Sequence, residues 1–315
     1  MSQHDEASQP LVSVVVGTCN RNSIVDTLES LAGQVYPDFE VVLVDQSDTD
    51  ATRRVAERFA GRLSRLQYVH VEQKGLSRAY NLGMRMAVGD IVMSTDDDCT
   101  VPADWLSTVA RTFQLHPDIG LLFGQVLSPP RPAIGDQMEG IIPTMSIERP
   151  RILSREHDFH VHGMGANFGW RRSLFDLVGG FDEVLGAGGP LPASEDLDFT
   201  YRALRSGHRV LLTPDVLVYH HGLRSHEVWP VTMRNYGIGQ GGFYWKHVRL
   251  GDAHAARLLL AHVARFAARI LKRKVRLAPA STEWTYLTAI LAGMRKSTSF
   301  AIDRRTRTYV ARTEP

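Results

Sequence analysis

The chain has 315 residues, of which 43% are hydrophobic and 22% are charged, and its formal net charge is +2. This length allows one large α/β domain or two smaller ones, and the near-neutral charge gives no sign of a nucleic-acid partner. The two cysteines, Cys19 and Cys99, are too few for a disulfide framework and favour reduced thiols in the cytoplasm.

The N-terminal residues 1–10 are polar and lack the apolar core of a signal peptide, so they predict a disordered start. No uncharged apolar run approaches the roughly 18 residues that span a bilayer. We therefore expect a cytoplasmic protein, with peripheral attachment to the inner face of the cell membrane as the alternative to free solution.

Strand and helix patterns alternate over residues 11–126. Strands are predicted at 11–16, 40–45, 66–71, 90–95 and 119–126, and helices at 24–35, 50–60, 77–87 and 104–115. Such alternation predicts an α/β fold with a parallel sheet and helices on both faces. Ligands of these sheets bind beyond the carboxyl ends of the strands, so the polar residues that follow each strand are the candidate site.

The alternation breaks at 127–160, where proline and charged residues predict a long irregular excursion. Helices are predicted at 172–178 and 194–207, with Ser194 as N-cap of the second, and two strands follow, HRVLLTP and VLVYHHG. Within 257–276, seven Lys or Arg and no Asp or Glu flank an apolar stripe. This is the pattern of a basic helix on an anionic membrane, and packing on the rest of the protein or dimerisation is the alternative.

Three adjacent aspartates, Asp96–Asp98, follow the strand at 90–95. Like charges at this spacing repel, and buried carboxylates are costly unless they are paired or bind a metal. Mg²⁺ or Mn²⁺, held by one or two carboxylates and by substrate phosphates, would satisfy them. Strand alternation favours Asp96 and Asp98 as the metal ligands, with Asp97 turned away. A solvated turn is the alternative.

Two further residues lie where strands are predicted to end or helices to begin. Asp45 would bind a base or ribose, or else form an Asx-turn. Arg78 lies in the first turn of a helix, where anions are favoured, or else is a surface cation. The chain has neither G-x-x-x-x-G-K-[ST] nor G-x-G-x-x-G after the first strand, which argues against a P-loop and a dinucleotide fingerprint.

The pair Glu195–Asp196 opens a helix after a loop rich in glycine and proline. A helix N-terminus favours the anionic form of a carboxylate, which suits a general base, although capping alone would also explain the pair. Asp198 and Arg202 have the i,i+4 spacing of a structural salt bridge.

A histidine pair, His220 and His221, ends the last predicted strand, and one of them would ligate a metal or touch a diphosphate; we assign His221 to the metal. The segment 236–247 is rich in glycine and aromatic residues. We expect it to close over the diphosphate or the acceptor, with Arg224 and Lys246 as its cations.

Together these motifs resemble family 2 glycosyltransferases of the glycosyltransferase A fold. The matching pieces span about residues 11–222 in the family's order: VSVVVGTCNR, EVVLVDQSDTDAT, KGLSRAYNLGMRMAVGDIVMSTDDDC, GANFGWRRSLFDLVGGFDE and ASEDLDFTYRALRSGHRVLLTPDVLVYHHG. The resemblance implies a mostly parallel central sheet with helices on both faces and a C-terminal helical extension. It also implies inverting transfer of a sugar from a nucleotide-diphosphate donor, a nucleotide-sugar, in the assembly of a surface glycan.

The resemblance also implies roles for individual residues. Asp196 matches the catalytic base, and Asp96–Asp98 is similar to the metal-binding D-x-D element. The residues expected to contact the donor nucleotide or substrate are Thr18, Arg21, Asp45, Arg78, Asp97, Glu195 and Lys246. The chain departs from the family at Gly17, where proline is common, and at Gln46, where a second aspartate is common, and it lacks the Q-x-x-R-W of processive synthases.

The expected organisation is a catalytic domain at 11–247 and a basic helical extension at 248–315. Within the domain, 11–126 would bind the nucleotide and 127–247 the acceptor. The expected partners are a nucleotide-sugar donor, a glycan or lipid-linked acceptor and an anionic membrane surface, without nucleic acid. The competing functions are a catalytically inactive scaffold of the same fold and a sugar-phosphate nucleotidyltransferase.

Overall fold

A mixed β-sheet forms the centre of the protein in the computed structural model, which describes residues 9–130, 140–154, 159, 163–277 and 279–310. The predicted disordered start lies mostly outside these residues. The first half of the chain forms β1 (Val12–Thr18), α1 (Ile24–Ala32), β2 (Phe39–Asp45), α2 (Ala51–Phe59), β3 (Leu66–His70), α3 (Leu76–Met86), β4 (Ile91–Ser94), β5 (Cys99–Thr100), α4 (Trp105–Leu115) and β6 (Ile119–Leu127).

The second half is richer in helix. It forms β7 (Arg151–Leu153), β8 (Phe168–Arg171), α5 (Arg172–Val178), α6 (Glu195–Arg205), β9 (Arg209–His220), α7 (Trp229–Arg249), α8 (Ala253–Val275), α9 (Ser281–Ser297), β10 (Ile302–Asp303) and β11 (Thr308–Tyr309). No helix in the described ranges is both long enough and apolar enough to cross a membrane.

The strand order is β3-β2-β1-β4-β8-β6-β9-β5, with β7 on the side of β9. The first four strands of this order pair in parallel, so Thr18, Asp45 and Ser94 end at one edge. Strand β8 then enters antiparallel between β4 and β6, while β9 runs parallel to β6. The two strands predicted after 207 are one strand, β9, whose register against β6 shifts beside Gly124.

Helices cover both faces of the sheet, as the α/β pattern predicts. Along β1, Val14 and Val16 point into one core together with residues of α1, α2 and α4. Val15 points into the other core, which contains residues of α3, α6, α7, α8 and α9. Alternate side chains of one buried strand therefore anchor both layers.

Helix α7 contains the segment 236–247, which was predicted to close over the diphosphate or the acceptor. Its glycines serve close helix packing. A Cβ at Gly241 would collide with the carbonyl of Ile290 in α9, and a Cβ at Gly293 of α9 would collide with the carbonyl of Ile238 in α7. Glycine lowers helix propensity, so the sequence resembles a loop although the contact requires a helix.

The apolar stripe predicted at 257–276 lies on α8 and faces the protein interior. Leu259, Phe266 and Ile270 are buried, and the first two belong to the same core as α6 and α7. The stripe therefore packs on the catalytic region, which was the alternative to membrane docking. Other side chains of α8 remain exposed and are considered below.

A buried ion cluster joins α6 to α7. We use this name for Asp182, Asp198, Arg202, Lys246 and His247, all of which are almost completely buried. The Lys246 ammonium lies 2.6 Å from a carboxylate oxygen of Asp182 and 2.6 Å from one of Asp198. The predicted Asp198–Arg202 salt bridge is confirmed, with Nε and Oδ2 2.8 Å apart.

The structure contradicts the predicted substrate contact of Lys246. This side chain is 0% exposed, and its charge is matched by Asp182 and Asp198 within the buried ion cluster. A lysine buried with two carboxylates is needed to neutralise them, because unpaired buried charges are strongly unfavourable. Lys246 is therefore a structural residue.

Replacement of Lys246 by methionine tests this role. Lys246→Met keeps most of the side-chain volume but removes the cation, so we expect the free energy of unfolding to fall by about 3–5 kcal/mol in chemical denaturation. Lys272→Met, at an exposed position on α8, is the control and should change it by less than about 0.5 kcal/mol. Equal stability of the two variants would contradict the assignment.

Candidate functional site

An acidic rim lies where β4 ends. It consists of Asp96, Asp97 and Asp98, and neighbouring groups hold its members in place. The hydroxyl of Thr18, at the end of β1, donates to Asp97 Oδ2 at 2.6 Å. A guanidinium nitrogen of Arg21 lies 3.8 Å from Asp98. The parallel pairing of β1 with β4 thus brings five of the predicted site residues together at one edge.

His220 lies beside this rim, whereas the sequence-based assignment was His221. The pairing of β5 with β9 places His220 opposite Cys99, and its Nε2 lies 3.3 Å from Asp98 Oδ1. The ring of His221 instead makes a 2.8 Å hydrogen bond with Thr100. Successive side chains of a strand point to opposite faces, so only one of the pair can face the rim. The structure therefore brings His220, and not the predicted His221, next to the carboxylates that could hold a metal ion.

Four side chains could hold a metal ion in the described residues. Ligand atoms of Asp96, Asp98, Cys99 and His220 lie within 4.8 Å of one another. His220 Nδ1 is buried and has no hydrogen-bond partner in the described part of the chain. The two carboxylates suit Mn²⁺ or Mg²⁺, and the imidazole would add a nitrogen ligand that a transition metal such as Mn²⁺ accepts more readily than Mg²⁺. Burial raises the pKa of the Cys99 thiol.

The electrostatics of the rim also suit a cation. Burial, together with the charge of Asp98, raises the pKa of Asp96 to about 7. Burial also raises the pKa of Asp97. Burial works in the same direction on Asp98, but the hydrogen bond with His220 and the nearby arginines outweigh it and hold its pKa below the usual value. A bound dication would favour the ionised form of all three carboxylates.

A cavity of about 350 Å³ opens on one side of the rim. Thr18, Arg21 and Asp97 line it, as expected for a nucleotide pocket. Arg224, which was expected among the cations over the diphosphate or the acceptor, also lines it, as does Lys74, which sequence reasoning did not assign to a site. Lys74 directly precedes Gly75 in the loop between β3 and α3. Its position after a strand of the parallel sheet could have identified it as a site residue. Three cations line this cavity beside the three carboxylates of the rim, and cations in this position suit an anionic ligand such as a diphosphate that binds together with a dication.

Asp45 and Arg78 do not line this cavity. Asp45 is 0% exposed and accepts hydrogen bonds from Tyr68 Oη at 2.8 Å and from the Ser47 amide at 2.9 Å. Arg78 lies 3.7 Å from Glu183. The next residue after Asp45, Gln46, lines the cavity instead. Asp45 and Arg78 thus have contacts within the protein, and their nucleotide contacts stay predictions.

A larger cavity of about 720 Å³ lies on the other side of the rim, and Asp96, Glu195 and Asp196 line it. The backbone of Ser194 just before this pair is left-handed, with φ of 74°, and its side chain makes no capping hydrogen bond. Strain of this kind in a residue other than glycine concentrates at functional sites. The Leu197 amide donates to Asp196 Oδ1 at 2.7 Å, and burial raises the pKa of Glu195 to about 8.

Asp96 lines both cavities, so the rim separates a cationic pocket from a pocket that contains a candidate base. Such a site can hold a phosphorylated group on one side and a hydroxyl compound on the other, with reacting atoms meeting at the rim. Asp196 is the carboxylate on the second side whose helix-terminal position favours the basic form.

Comparison with known proteins assigns the family. The model of the family described as glycosyl transferase family 2 matches residues 13–178, which is more than half of the chain. The chain belongs to glycosyl transferase family 2. Among relatives of this family, a glucosyl-dolichyl phosphate glucuronosyltransferase of Haloferax volcanii is 26% identical over 196 residues. That alignment covers 56% of this chain and 58% of the relative.

Another family 2 relative is the glycosyltransferase EpsJ of Bacillus subtilis, which is 28% identical over 212 residues, covering 66% of this chain and 60% of the relative. Two solved structures share the fold. A mannosyltransferase from Pyrobaculum calidifontis in complex with GDP-Man and Mn²⁺ has a TM-score of 0.60 at 21% identity, covering 93% of this chain and 88% of that one. Staphylococcus aureus TarS 1–349 with UDP-GlcNAc has a TM-score of 0.59 at 20% identity, covering 91% and 81%.

The two histidines provide a matched test of the metal centre. His220→Ala removes the imidazole beside Asp98, so we expect the affinity for Mn²⁺ to fall at least tenfold in calorimetric titration, as is typical when a ligand or its support is lost. His221→Ala leaves the centre intact and should bind Mn²⁺ as the parent does. Loss of binding in His221→Ala with retention in His220→Ala would restore the sequence-based assignment.

Proposed function

We propose that this protein is an inverting, metal-dependent glycosyltransferase that moves a sugar from a nucleotide-diphosphate donor to a hydroxyl of a glycan or lipid-linked acceptor. The observation that carries the proposal is the position of Asp96, which lines both the cationic pocket and the pocket of Asp196. Membership of glycosyl transferase family 2 supports it. The complex of the Pyrobaculum neighbour with GDP-Man and Mn²⁺ and the name of the Haloferax relative are consistent with this donor and acceptor.

In the donor pocket, Arg21, Lys74 and Arg224 would bind the diphosphate through charge-assisted hydrogen bonds. Thr18 would hold Asp97 in place through its short hydrogen bond. Asp96, Asp98 and His220 would hold Mg²⁺ or Mn²⁺. When bound, this ion would neutralise charge on the leaving diphosphate.

In the acceptor pocket, Asp196 would take the proton of the acceptor hydroxyl. The hydroxyl oxygen then bonds to the anomeric carbon while the bond from that carbon to the diphosphate oxygen breaks, so the configuration inverts in one displacement. Glu195 would contact the bound sugar from the same wall. In this scheme residues 11–126 supply most of the donor pocket and Arg224 adds a cation to it. Residues 127–247 supply the base, and residues of 248–315 complete the acceptor pocket.

Asp196→Asn tests the base. The amide cannot take the proton, so we expect kcat to fall by about 10²–10⁴-fold while binding of UDP or GDP with Mn²⁺, measured by thermal shift, stays unchanged. Asp176→Asn, at an exposed position on α5, is the control and should leave kcat unchanged. NMR of the product should show the anomeric configuration opposite to that of the donor. Retained configuration, or full activity of Asp196→Asn, would refute the mechanism.

We further propose that the outer face of α8 docks on an anionic membrane. Leu271 and Val275 are 64% and 76% exposed there, and Leu260 and Leu277 are exposed as well. The basic residues among them are Lys272, Arg273, Lys274 and Arg276. Exposed apolar side chains among cations fit the headgroup region of an anionic bilayer, and this face is separate from the stripe that packs on the core.

A liposome assay tests this docking. The protein should co-sediment with vesicles that contain phosphatidylglycerol, and binding should weaken in 0.5 M salt because phosphate–cation attraction is screened. Leu271→Ser combined with Val275→Ser should reduce the bound fraction severalfold, because it removes apolar area that would insert. Leu115→Ser, at an exposed position on α4, is the control. If the co-sedimenting fraction did not depend on lipid charge, on salt or on these substitutions, docking through α8 would be excluded.

A further inference from the structure

Two arginines of α8, Arg265 and Arg269, line the same cavity as Asp196. They are one helical turn apart on one face of α8, so their like charges repel each other. Among the described residues neither forms an ion pair, and Arg269 lies over the ring of Phe266 with its guanidinium carbon 5.0 Å from the ring centre. Two neighbouring cations that face a cavity without carboxylate partners are suited to an anionic ligand.

Most of the remaining surface of this cavity is apolar. Side chains from the segment after β6, from the segment before β8 and from α7 contribute aliphatic, thioether and aromatic surface, namely Ile142, Pro143, Met145, Met164, Trp229 and Met233. Thioether side chains adapt their shape to flexible apolar ligands. A free sugar chain, which carries hydroxyl groups around every ring, would leave the aliphatic and thioether part of this surface poorly matched.

We propose that the acceptor is a lipid-linked compound whose phosphate or diphosphate group binds Arg265 and Arg269, while the first part of its hydrocarbon chain lies on the apolar wall. This inference rests on the proposed function for the sugar-transfer step and specifies the class of acceptor at that site. Arg265 and Arg269 would bind the phosphate or diphosphate group, and the apolar residues of the cavity would contact the hydrocarbon chain. The hydroxyl to be glycosylated would then reach Asp196.

The exposed face of α8 gives the proposal a consistent geometry. The same helix presents Arg265 and Arg269 to the cavity and Leu271 and Val275 to solvent. A helix that lies on an anionic bilayer would hold the cavity next to the membrane surface. The phosphate of a membrane lipid is at the depth of such a helix, so the acceptor would reach the cavity without leaving the bilayer.

Binding of small probes to the full chain tests the proposal without any sugar transfer. Farnesyl phosphate, farnesol and inorganic phosphate would each be titrated by calorimetry below the concentration at which the lipids form micelles. We expect farnesyl phosphate to bind at least tenfold more tightly than either farnesol or inorganic phosphate, because only it satisfies both the cations and the apolar wall.

The variants assign this binding to the two arginines. The double variant Arg265→Gln, Arg269→Gln should lose about a hundredfold in affinity for farnesyl phosphate, about tenfold for each charge-assisted contact, and keep its weaker affinity for farnesol. Arg257→Gln removes a cation from the same helix outside the cavity and should bind farnesyl phosphate as the parent does. Unfolding temperatures of all variants would be compared to exclude loss of the fold.

Several results would overturn the proposal. Farnesol and farnesyl phosphate binding equally would remove the role of the phosphate, and inorganic phosphate binding as tightly as farnesyl phosphate would indicate a free-phosphate site. If the double variant bound farnesyl phosphate with unchanged affinity, the proposed role of Arg265 and Arg269 would be wrong. Thermal shift by UDP or GDP with Mn²⁺ is measured in parallel. Its absence in the parent would refute the nucleotide-sugar function, while the titrations would still decide whether the cavity binds a lipid phosphate.

Discussion

The buried ion cluster constrains the structure more than any other interaction. Asp198 lies in α6, two residues after the candidate base Asp196, and its carboxylate contacts Lys246, His247 and Arg202. Charges without solvent are tolerated only when each has its partners, so the elements that carry them are fixed relative to one another. The N-terminus of α6, and with it Asp196, is thereby held against α7.

The constraint extends to the end of the chain through Asp182. This carboxylate accepts a hydrogen bond from the amide of Tyr309 in β11 at 2.7 Å, in addition to its contact with Lys246. The Tyr309 hydroxyl donates to the carbonyl of Gly242 in α7 at 2.7 Å. The residues after α9 are thus part of the support of the candidate active site and are not a passive tail.

Much of the fold and part of the site follow from sequence pattern alone. Alternation of buried strands and amphipathic helices fixes the parallel half of the sheet, and three adjacent carboxylates after a strand mark the rim. The i,i+4 spacing identifies the Asp198–Arg202 pair, because both residues lie on one helix. In each of these cases the partners are neighbours in sequence or are placed by a rule of sheet topology.

Other features depend on partners that are distant in sequence. The register of β9 against β5 determines which of the adjacent residues His220 and His221 faces Asp98. A register shifted by one residue would turn the other histidine toward it, because successive side chains of a strand point to opposite faces. The buried state of Asp45 depends on Tyr68 from the adjacent strand, and that of Lys246 on Asp182 across 64 residues. The glycine-rich sequence of α7 is typical of a loop, and only the close contact with α9 explains why these glycines lie in a helix.

The walls of the larger cavity have an evolutionary consequence. The region matched by the family model ends at residue 178, whereas α7, α8 and α9, which form much of that wall, come later in the chain. Under the proposed function, substitutions on the cavity side of these helices would alter the choice of acceptor and leave the residues of the donor pocket unchanged. The faces by which α7 and α9 touch each other are more constrained, because glycine contacts join them and the buried ion cluster fixes α7 to α6. On these two helices we therefore expect substitutions to be tolerated on the cavity side and to destabilise the protein on the contacting side.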